Sequence, residues 1–260
     1  MSMREQQRRG QTSGGVAIQQ VAVGAVLLLA WEVAGRLTDS HWIARPSLIA
    51  GILSRWLTGD LYMHVLVTLS EMAAGLVIGG TLGIFAGIVL GRSPVVAAIL
   101  RPIIVALYSV PLIALAPLFI MFFGIGLLPK IVLIAIVVFF LLFFNTFTGV
   151  TAVDEELIKA LQLMGSSRLE ELSKVVAPGC MVWILSGIKT ALPYSLVGAV
   201  TVEMLASQRG IGFLLSQAAG RLDIAAMYAA LVVLMLLGVL ISEAGASFDR
   251  WMLRWRTDAS

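Results

Sequence analysis

The chain alternates long apolar stretches with short polar connections. Six of these stretches approach the roughly 20 residues that a helix needs to cross a bilayer. Their apolar character is unbroken, which predicts helices rather than the alternating strands of a membrane barrel. The expected fold class is an all-α membrane protein with about six transmembrane helices, at residues 16–35, 65–90, 102–123, 131–150, 182–206 and 224–246.

The composition also indicates a membrane protein. Apolar residues make up 59% of the 260 residues and charged residues 13%, and the mean hydropathy is +0.98. A soluble domain of this length could not bury so much apolar surface. The charges are too sparse and too scattered to indicate a nucleic-acid partner. Because Cys180 is the only cysteine, neither an intrachain disulfide nor a cysteine metal cluster can form.

The basic residues predict the orientation in the membrane. If the polar tails at 1–15 and 247–260 are both cytoplasmic, eleven lysines and arginines lie inside and six outside, as expected from the excess of positive charge in cytoplasmic loops. The inner set is Arg4, Arg8, Arg9, Arg92, Arg101, Lys159, Arg168, Lys174, Arg250, Arg254 and Arg256, and the outer set is Arg36, Arg45, Arg55, Lys130, Arg209 and Arg221. Residues 38–63 are amphipathic and predict a short helix at the membrane interface.

One strongly charged stretch, residues 154–178, interrupts the apolar pattern, and we call it the charged segment. Asp154 is a suitable N-cap for a first helix, and Gly165 can end that helix in the left-handed conformation. Ser167 and Glu170 have the spacing of a capping box for a second helix. The segment therefore predicts a helix-turn-helix between two spans.

Both predicted helices of the charged segment are amphipathic. The apolar residues at helical spacing are Leu157, Leu161 and Met164 in the first helix and Leu169, Leu172, Val175 and Val176 in the second. Pro178 is expected to stop the second helix. An apolar stripe on a hydrophilic pair of helices indicates a surface that another protein binds.

The second predicted span has a glycine at every fourth position. A helix face without side chains lets another backbone approach closely, which favours helix packing in lipid. The ridge consists of Gly75, Gly79, Gly83, Gly87 and Gly91. It predicts a packing interface rather than a substrate site.

The third predicted span is interrupted by two prolines. Proline frees a backbone carbonyl that protein or water must satisfy, so such breaks occur at transport pathways and also in structural kinks. Nearby polar residues could line a path, or could be interfacial groups and hydrogen bonds between helices. The candidates for a translocation path are these polar residues, the two prolines and one acid: Tyr108, Ser109, Pro111, Pro117, Asn145 and Glu203.

Four glutamates, Glu32, Glu71, Glu203 and Glu243, fall in or beside predicted spans, where a lone charge is costly and marks a functional candidate. Glu71 lies within a span and is expected to be protonated or paired. Glu203 is expected at the outer end of the fifth span, near water. A relay through Glu71 and Glu243 would instead indicate a proton-coupled secondary carrier.

The sequence offers little support for an enzyme. It contains no G-x-x-x-x-G-K-[ST] phosphate-binding loop and no serine-histidine-acid grouping. His41 and His64 are too few for a histidine metal site. A third interpretation is a scaffold without transport activity, for which the glycine ridge and the charged segment are only interaction surfaces.

The charged segment resembles the cytoplasmic EAA loop of ABC-importer permeases. The pattern of that loop is E-A-A, three residues, G, nine residues and I-x-L-P, and it falls on residues 159–161, Gly165, Val175 and 177–178, with Lys159 in place of the glutamate. The resemblance implies that an ATPase subunit binds this segment. The implied coupling residues are Leu157, Lys159, Ala160, Leu161, Met164, Gly165, Ser166, Ser167, Leu169 and Pro178.

Other stretches are similar to the sulfonate, taurine and nitrate permease subfamily. Residues 110–126 resemble its i-P-x-x-A-L-x-P-L-x-I-x-W-F-G-I-G stretch, and residues 145–146 resemble its N-T pair. Glu203 with residues 210–212 matches its acid and G-I-G, and residues 46–47 match its P-S-P region. The subfamily often has arginine where this chain has Glu71, so the ion pairing there is expected to differ.

The resemblance implies the type I ABC importer permease architecture in a bacterial inner membrane, with both termini cytoplasmic. Two copies of the permease would enclose a path for a sulfonate, taurine or nitrate-like anion, although related permeases carry riboflavin or thiamine-precursor pyrimidines. This chain would hold no cofactor, because two partner ATPase subunits would bind ATP and Mg²⁺. An extracytoplasmic binding protein would deliver the substrate, and lipid would surround the spans.

Overall fold

The computed structural model describes residues 3–38 and 42–253, in which the chain forms helices and no strand. The helices are α1 (Met3–Leu37), α2 (Pro46–Leu57), α3 (Leu61–Gly91), α4 (Pro94–Tyr108), α5 (Ala116–Phe123), α6 (Leu127–Thr151), α7 (Glu155–Leu163), α8 (Arg168–Glu171), α9 (Ala177–Ala206), α10 (Ile211–Gly220) and α11 (Ile224–Met252). The predicted all-α fold class is therefore confirmed. His41, Arg254 and Arg256 lie outside the described residues, as do the side chains of Arg4, Arg8, Arg9 and Arg101.

Within the described ranges, five helical segments are long and apolar enough to cross a membrane: Gln19–Leu37, Leu61–Gly91, Leu127–Thr151, Arg168–Ala206 and Ile224–Met252. They correspond to the first, second, fourth, fifth and sixth predicted spans. Because α1 already begins at Met3, no break in the helix separates the predicted tail at 1–15 from the first span.

The third predicted span, residues 102–123, is wrong as a single helix. It is divided between α4, of 15 residues, and α5, of 8 residues, and each is too short to cross a bilayer alone. Between them the chain turns at Pro111 and forms a 3-10 turn over Leu112–Leu115. Pro117 does not interrupt a helix, because it lies in the first turn of α5, where its missing N–H leaves no carbonyl unpaired.

The centre of the bundle is α6, which packs against α3 and against α9. The glycine ridge of α3 faces α6, and all five of its glycines lie against residues of α6. A Cβ atom at Gly83 would lie 2.6 Å from the Phe139 carbonyl oxygen, and one at Gly87 would lie 2.7 Å from Cβ of Thr146. Any larger residue would therefore push the helices apart, so the ridge sets the α3–α6 spacing.

The short helix predicted within residues 38–63 is α2. Ile49 and Ile52 on its apolar face are buried in a cluster with Ala218 of α10 and with Ala226 and Ala229 of α11. The opposite face of α2 is exposed. An amphipathic helix thus packs across α10 and α11, as its sequence pattern indicates.

Candidate functional site

The first helix of the charged segment, α7, is closed at both ends by local hydrogen bonds. Asp154 is its N-cap, with a carboxylate oxygen that accepts from the Glu156 N–H at 2.8 Å. At the other end, Gly165 has a φ of +83°. Ser166 N donates to the Leu161 carbonyl at 3.1 Å and Gly165 N donates to the Gln162 carbonyl at 3.0 Å. This is the Schellman arrangement, in which a left-handed glycine satisfies the last carbonyls of a helix.

The second helix, α8, begins with the capping box that its sequence predicts. Ser167 Oγ accepts from the Glu170 N–H at 3.3 Å, and the Glu170 carboxylate accepts from the Ser167 N–H at 2.9 Å. Lys174 Nζ donates to the same carboxylate at 2.9 Å, in an ion pair that is exposed and lies within one helical run. Local sequence alone therefore fixes both helix starts and the turn between them.

Pro178 does not stop the second helix, and that expectation is wrong. A π-helical turn over Leu172–Val176 follows α8 and leads directly into α9. Ala177 N donates to the Leu172 carbonyl, five residues earlier, which is the widened bonding of a π turn. Pro178 falls in the first turn of α9, where it has no N–H to pair and the wider turn accommodates its ring. The charged segment is therefore continuous with the fifth span.

The charged segment exposes large apolar side chains. Leu163 is 90% exposed, Met164 83% and Leu169 77%. Met164 and Leu169 are predicted coupling residues, whereas Leu163 is not. Of the remaining predicted coupling residues, Leu157, Lys159, Ala160, Gly165, Ser167 and Pro178 are exposed, and Leu161 and Ser166 are half-buried. Ile158, which the sequence reasoning did not single out, packs inward on the cluster of Val150, Val176 and Cys180. The segment is thus attached by one apolar face and presents another.

Sequence reasoning also missed Glu171, a buried carboxylate of α8 that is 4% exposed. Its Oε2 accepts a hydrogen bond from Nη2 of Arg92 at 2.8 Å, and its Oε1 accepts one from Nε2 of Gln162 at 3.1 Å. Nη1 of Arg92 also donates to the Arg168 carbonyl at 3.3 Å. The sequence indicates this pair only through Arg92, a cation directly after α3, and it does not show that Glu171 is the partner of Arg92.

A second polar group of residues lies inside the bundle, and we call Thr68, Glu71, Lys130 and Glu203 the buried polar cluster. Glu71 of α3 is 1% exposed and Lys130 of α6 is 5% exposed. Lys130 Nζ donates to Glu71 Oε1 at 2.7 Å and to Ser207 Oγ at 2.6 Å. Of the two expectations for Glu71, protonated or paired, the structure shows the pair. Its partner Lys130, predicted among the outer basic residues, is buried.

Glu203 is also buried, at 1% exposed, so the expectation that it lies near water is wrong. Its Oε1 accepts from Thr68 Oγ1 at 2.7 Å, and its Oε2 accepts from the Gly212 N–H at 2.7 Å in the first turn of α10. The same hydroxyl of Thr68 accepts from the Ile211 N–H at 3.0 Å. These bonds satisfy N–H groups at the start of α10, where a carboxylate also complements the helix dipole.

Two path candidates, Tyr108 and Ser109, are exposed at the end of α4. The Tyr108 ring packs edge-on to the Phe144 ring of α6, with centroids 5.2 Å apart. The Ser109 hydroxyl donates to the Val105 carbonyl at 2.8 Å, one turn earlier. Pro111 and Pro117 are exposed as well.

Asn145, the path candidate on α6, is half-buried beside Gly187 of α9. Its side-chain amide donates to the Leu141 carbonyl at 2.8 Å, within its own helix. Glu243, the second acid of the hypothetical proton relay, is exposed on α11, whereas Glu71 is bonded to Lys130. The structure therefore gives the relay no continuous set of partners among these residues.

Comparison with known proteins gives consistent matches. The family model described as "Binding-protein-dependent transport system inner membrane component" matches residues 79–254. The chain is 30% identical to the putative aliphatic sulfonates transport permease protein SsuC of Bacillus subtilis (strain 168), over 89% of this chain and 85% of that protein. It is 31% identical to the taurine transport system permease protein TauC of Escherichia coli (strain K12), over 77% of this chain and 73% of that protein.

A third relative and a solved structure extend these matches. The formylaminopyrimidine transport permease protein ThiX of Halalkalibacterium halodurans is 25% identical over 92% of this chain and 96% of that protein. An inward-facing structure of the MetNI methionine ABC transporter has a TM-score of 0.64 at 20% identity, and the match covers 73% of this chain and 94% of that one. The structural match supports the type I importer fold.

Proposed function

Since the chain belongs to the family of binding-protein-dependent transport system inner membrane components and is a permease subunit of an ABC importer, we propose that it forms the path for a small anion. The proposed substrate class is a sulfonate, taurine or a nitrate-like anion. Similarity to the sulfonate permease over 89% of this chain, and to the taurine permease over 77%, supports that class. A formylaminopyrimidine-like substrate is the second candidate, because similarity to that permease extends over 92% of the chain.

A separate ATPase supplies the energy in this proposal. One observation supports it most directly: Leu163, Met164 and Leu169 are exposed on a helix-turn-helix that is continuous with α9. Exposed apolar anchors on a rigid pair of helices fit a groove on a partner protein. ATP and Mg²⁺ would be bound by two copies of that ATPase, below two copies of this chain. The charged segment and both termini would then be cytoplasmic, and a binding protein would deliver substrate to the opposite face.

Reconstitution tests the proposed function. The chain is purified as a complex with its ATPase and placed in liposomes. The binding protein, ATP and Mg²⁺ are then added. We expect uptake of labelled alkanesulfonate or taurine that requires ATP. Uptake of a formylaminopyrimidine alone would favour the second candidate, and uptake on a proton gradient without any ATPase would contradict the proposal.

The variant Gly165→Pro tests the role of the charged segment in the same assay. Proline cannot adopt the φ of +83° found at Gly165, so the turn between α7 and α8 must change. We expect loss of transport with normal membrane insertion. Normal transport by this variant would show that the charged segment does not couple to the ATPase.

A further inference from the structure

The charged segment is connected to the rest of the molecule through the backbone at both of its ends and through hydrogen bonds and packing. α8 continues through the π turn into α9, so any displacement of α8 moves α9 through the backbone itself. α7 lacks such a continuation, and only the turn at residues 164–167 joins it to α8 along the chain. α7 is also joined to α6, but by residues 152–154, which form no helix. Hydrogen bonds and packing therefore decide how firmly movement of α7 and α8 orients the α3–α6 pair.

Glu171 is the residue at which these connections meet. Its carboxylate accepts from Gln162 on α7 and from Arg92 directly after α3, while its own backbone belongs to α8. Arg92 adds a second bond to the Arg168 carbonyl. A guanidinium that donates in two directions at once defines an orientation, whereas apolar packing such as that of Ile158 permits sliding.

The other end of this connection is rigid. α3 ends at Gly91, the residue before Arg92, and its glycine ridge lies directly against backbone and side-chain atoms of α6, with no side chain on the α3 side. Backbones in such close contact move as one body, because any separation would leave the ridge unpacked. Arg92 therefore ties the end of α3, and with it the α3–α6 pair, to the charged segment.

We propose that Arg92 and Glu171 are positioning residues that carry movement of the charged segment to the α3–α6 pair. This inference rests on the proposed function, because it requires an ATPase that moves the segment. During a transport cycle, α9 is driven through its backbone, and the ion pair makes α3–α6 follow the same displacement, which the non-helical link at residues 152–154 does not fix by itself. Both sides of the bundle then change position together.

The chain supplies a matched control for this ion pair. Lys174 and Glu170 form an ion pair at 2.9 Å in the same segment, but their side chains are 60% and 45% exposed and both lie in one helical run. The side chains of Arg92 and Glu171 are 27% and 5% exposed, and they join different helices. The variants Arg92→Gln and Lys174→Gln thus remove one cation each, and only the first severs a connection between helices.

The experiment uses the assembled transporter in liposomes. It compares the original chain with Arg92→Gln, Arg92→Lys and Lys174→Gln, and measures ATPase co-purification, basal ATP hydrolysis, hydrolysis stimulated by loaded binding protein, and uptake. For Arg92→Gln we expect intact assembly and basal hydrolysis, with stimulation and uptake reduced about tenfold. Arg92→Lys should recover part of both, because it keeps the charge but loses the second hydrogen bond. Lys174→Gln should match the original chain.

Two results would overturn the inference. Uptake and stimulation by Arg92→Gln equal to those of Lys174→Gln would show that the pair transmits nothing. Loss of ATPase co-purification in Arg92→Gln would show that the pair only shapes the docking surface. If the original chain itself binds no ATPase, the proposed function fails first, and that result is distinguishable because no variant is needed to see it.

Discussion

The buried polar cluster places charged side chains inside the protein, whereas the charged segment places apolar side chains on its surface. In the buried polar cluster, Glu71, Lys130 and Glu203 are all at most 5% exposed, and each is hydrogen-bonded within the chain. In the charged segment, Leu163 and Leu169 are apolar and at least 77% exposed. In the first region the chain itself supplies a partner for each charged side chain, and only Oε2 of Glu71 has no hydrogen-bond partner among the described residues. The second region is incomplete, since its apolar side chains have no counterpart among the described residues.

The largest expected effect is on the buried polar cluster. Lys130→Met keeps the apolar stem but leaves Glu71 buried without its cation, and breaking a buried pair in this way typically costs about 3–5 kcal/mol. We expect a clearly lower midpoint of thermal unfolding for the purified protein. Lys174→Gln, which removes an exposed pair, should change stability by less than about 1 kcal/mol. Equal midpoints for the two variants would contradict the view that the cluster holds the fold together.

The next effect should appear in binding and not in stability. Leu169→Asp places a charge on an apolar side chain that we propose contacts the ATPase, and loss of such an anchor weakens binding by about 2 kcal/mol. Thermal stability should be unchanged, because Leu169 is 77% exposed. Leu57→Asp on α2 is the control, since Leu57 is 73% exposed and lies outside the charged segment. Unchanged ATPase affinity in Leu169→Asp would show that this surface is not the docking site.

The smallest effect should be local. Ser167→Ala removes the hydroxyl of the capping box, which typically contributes about 1 kcal/mol to a helix start. We expect faster amide hydrogen exchange at the start of α8, with no change in the protection of α3 or α6. If protection fell throughout the bundle, the charged segment would contribute to overall stability, and its contrast with the buried polar cluster would weaken.

Features encoded in consecutive residues could be predicted from the sequence. The Asp154 cap, the Gly165 turn and the Ser167–Glu170 capping box depend on residues at most five positions apart. The α3 ridge could be predicted because its period alone places the glycines on one face. The structure adds the identity of the facing helix.

Features that depend on distant residues could not be predicted. Glu71 and Lys130 are 59 positions apart, and Thr68 and Glu203 are 135 positions apart. The sequence shows that a buried acid needs a partner, but not which residue the fold brings to it. The helix end predicted at Pro178 is wrong for a related reason. A proline disrupts a regular α-helix, but whether the chain instead widens the preceding turn depends on the packing of α8 and α9.

The π turn gives the helical run Arg168–Ala206 a length of 39 residues. At about 1.5 Å per residue, such a run is about 58 Å long. For a straight run, a tilt of about 5° at the charged segment displaces the far end by about 5 Å, which is close to one helical turn. Pro193 inside α9 is the position at which bending would reduce that displacement. Glu203 lies near that far end, bonded to the first turn of α10. A small rotation of the charged segment would thus move the end of α9 near Glu203 by several ångströms, through the length of the helix alone.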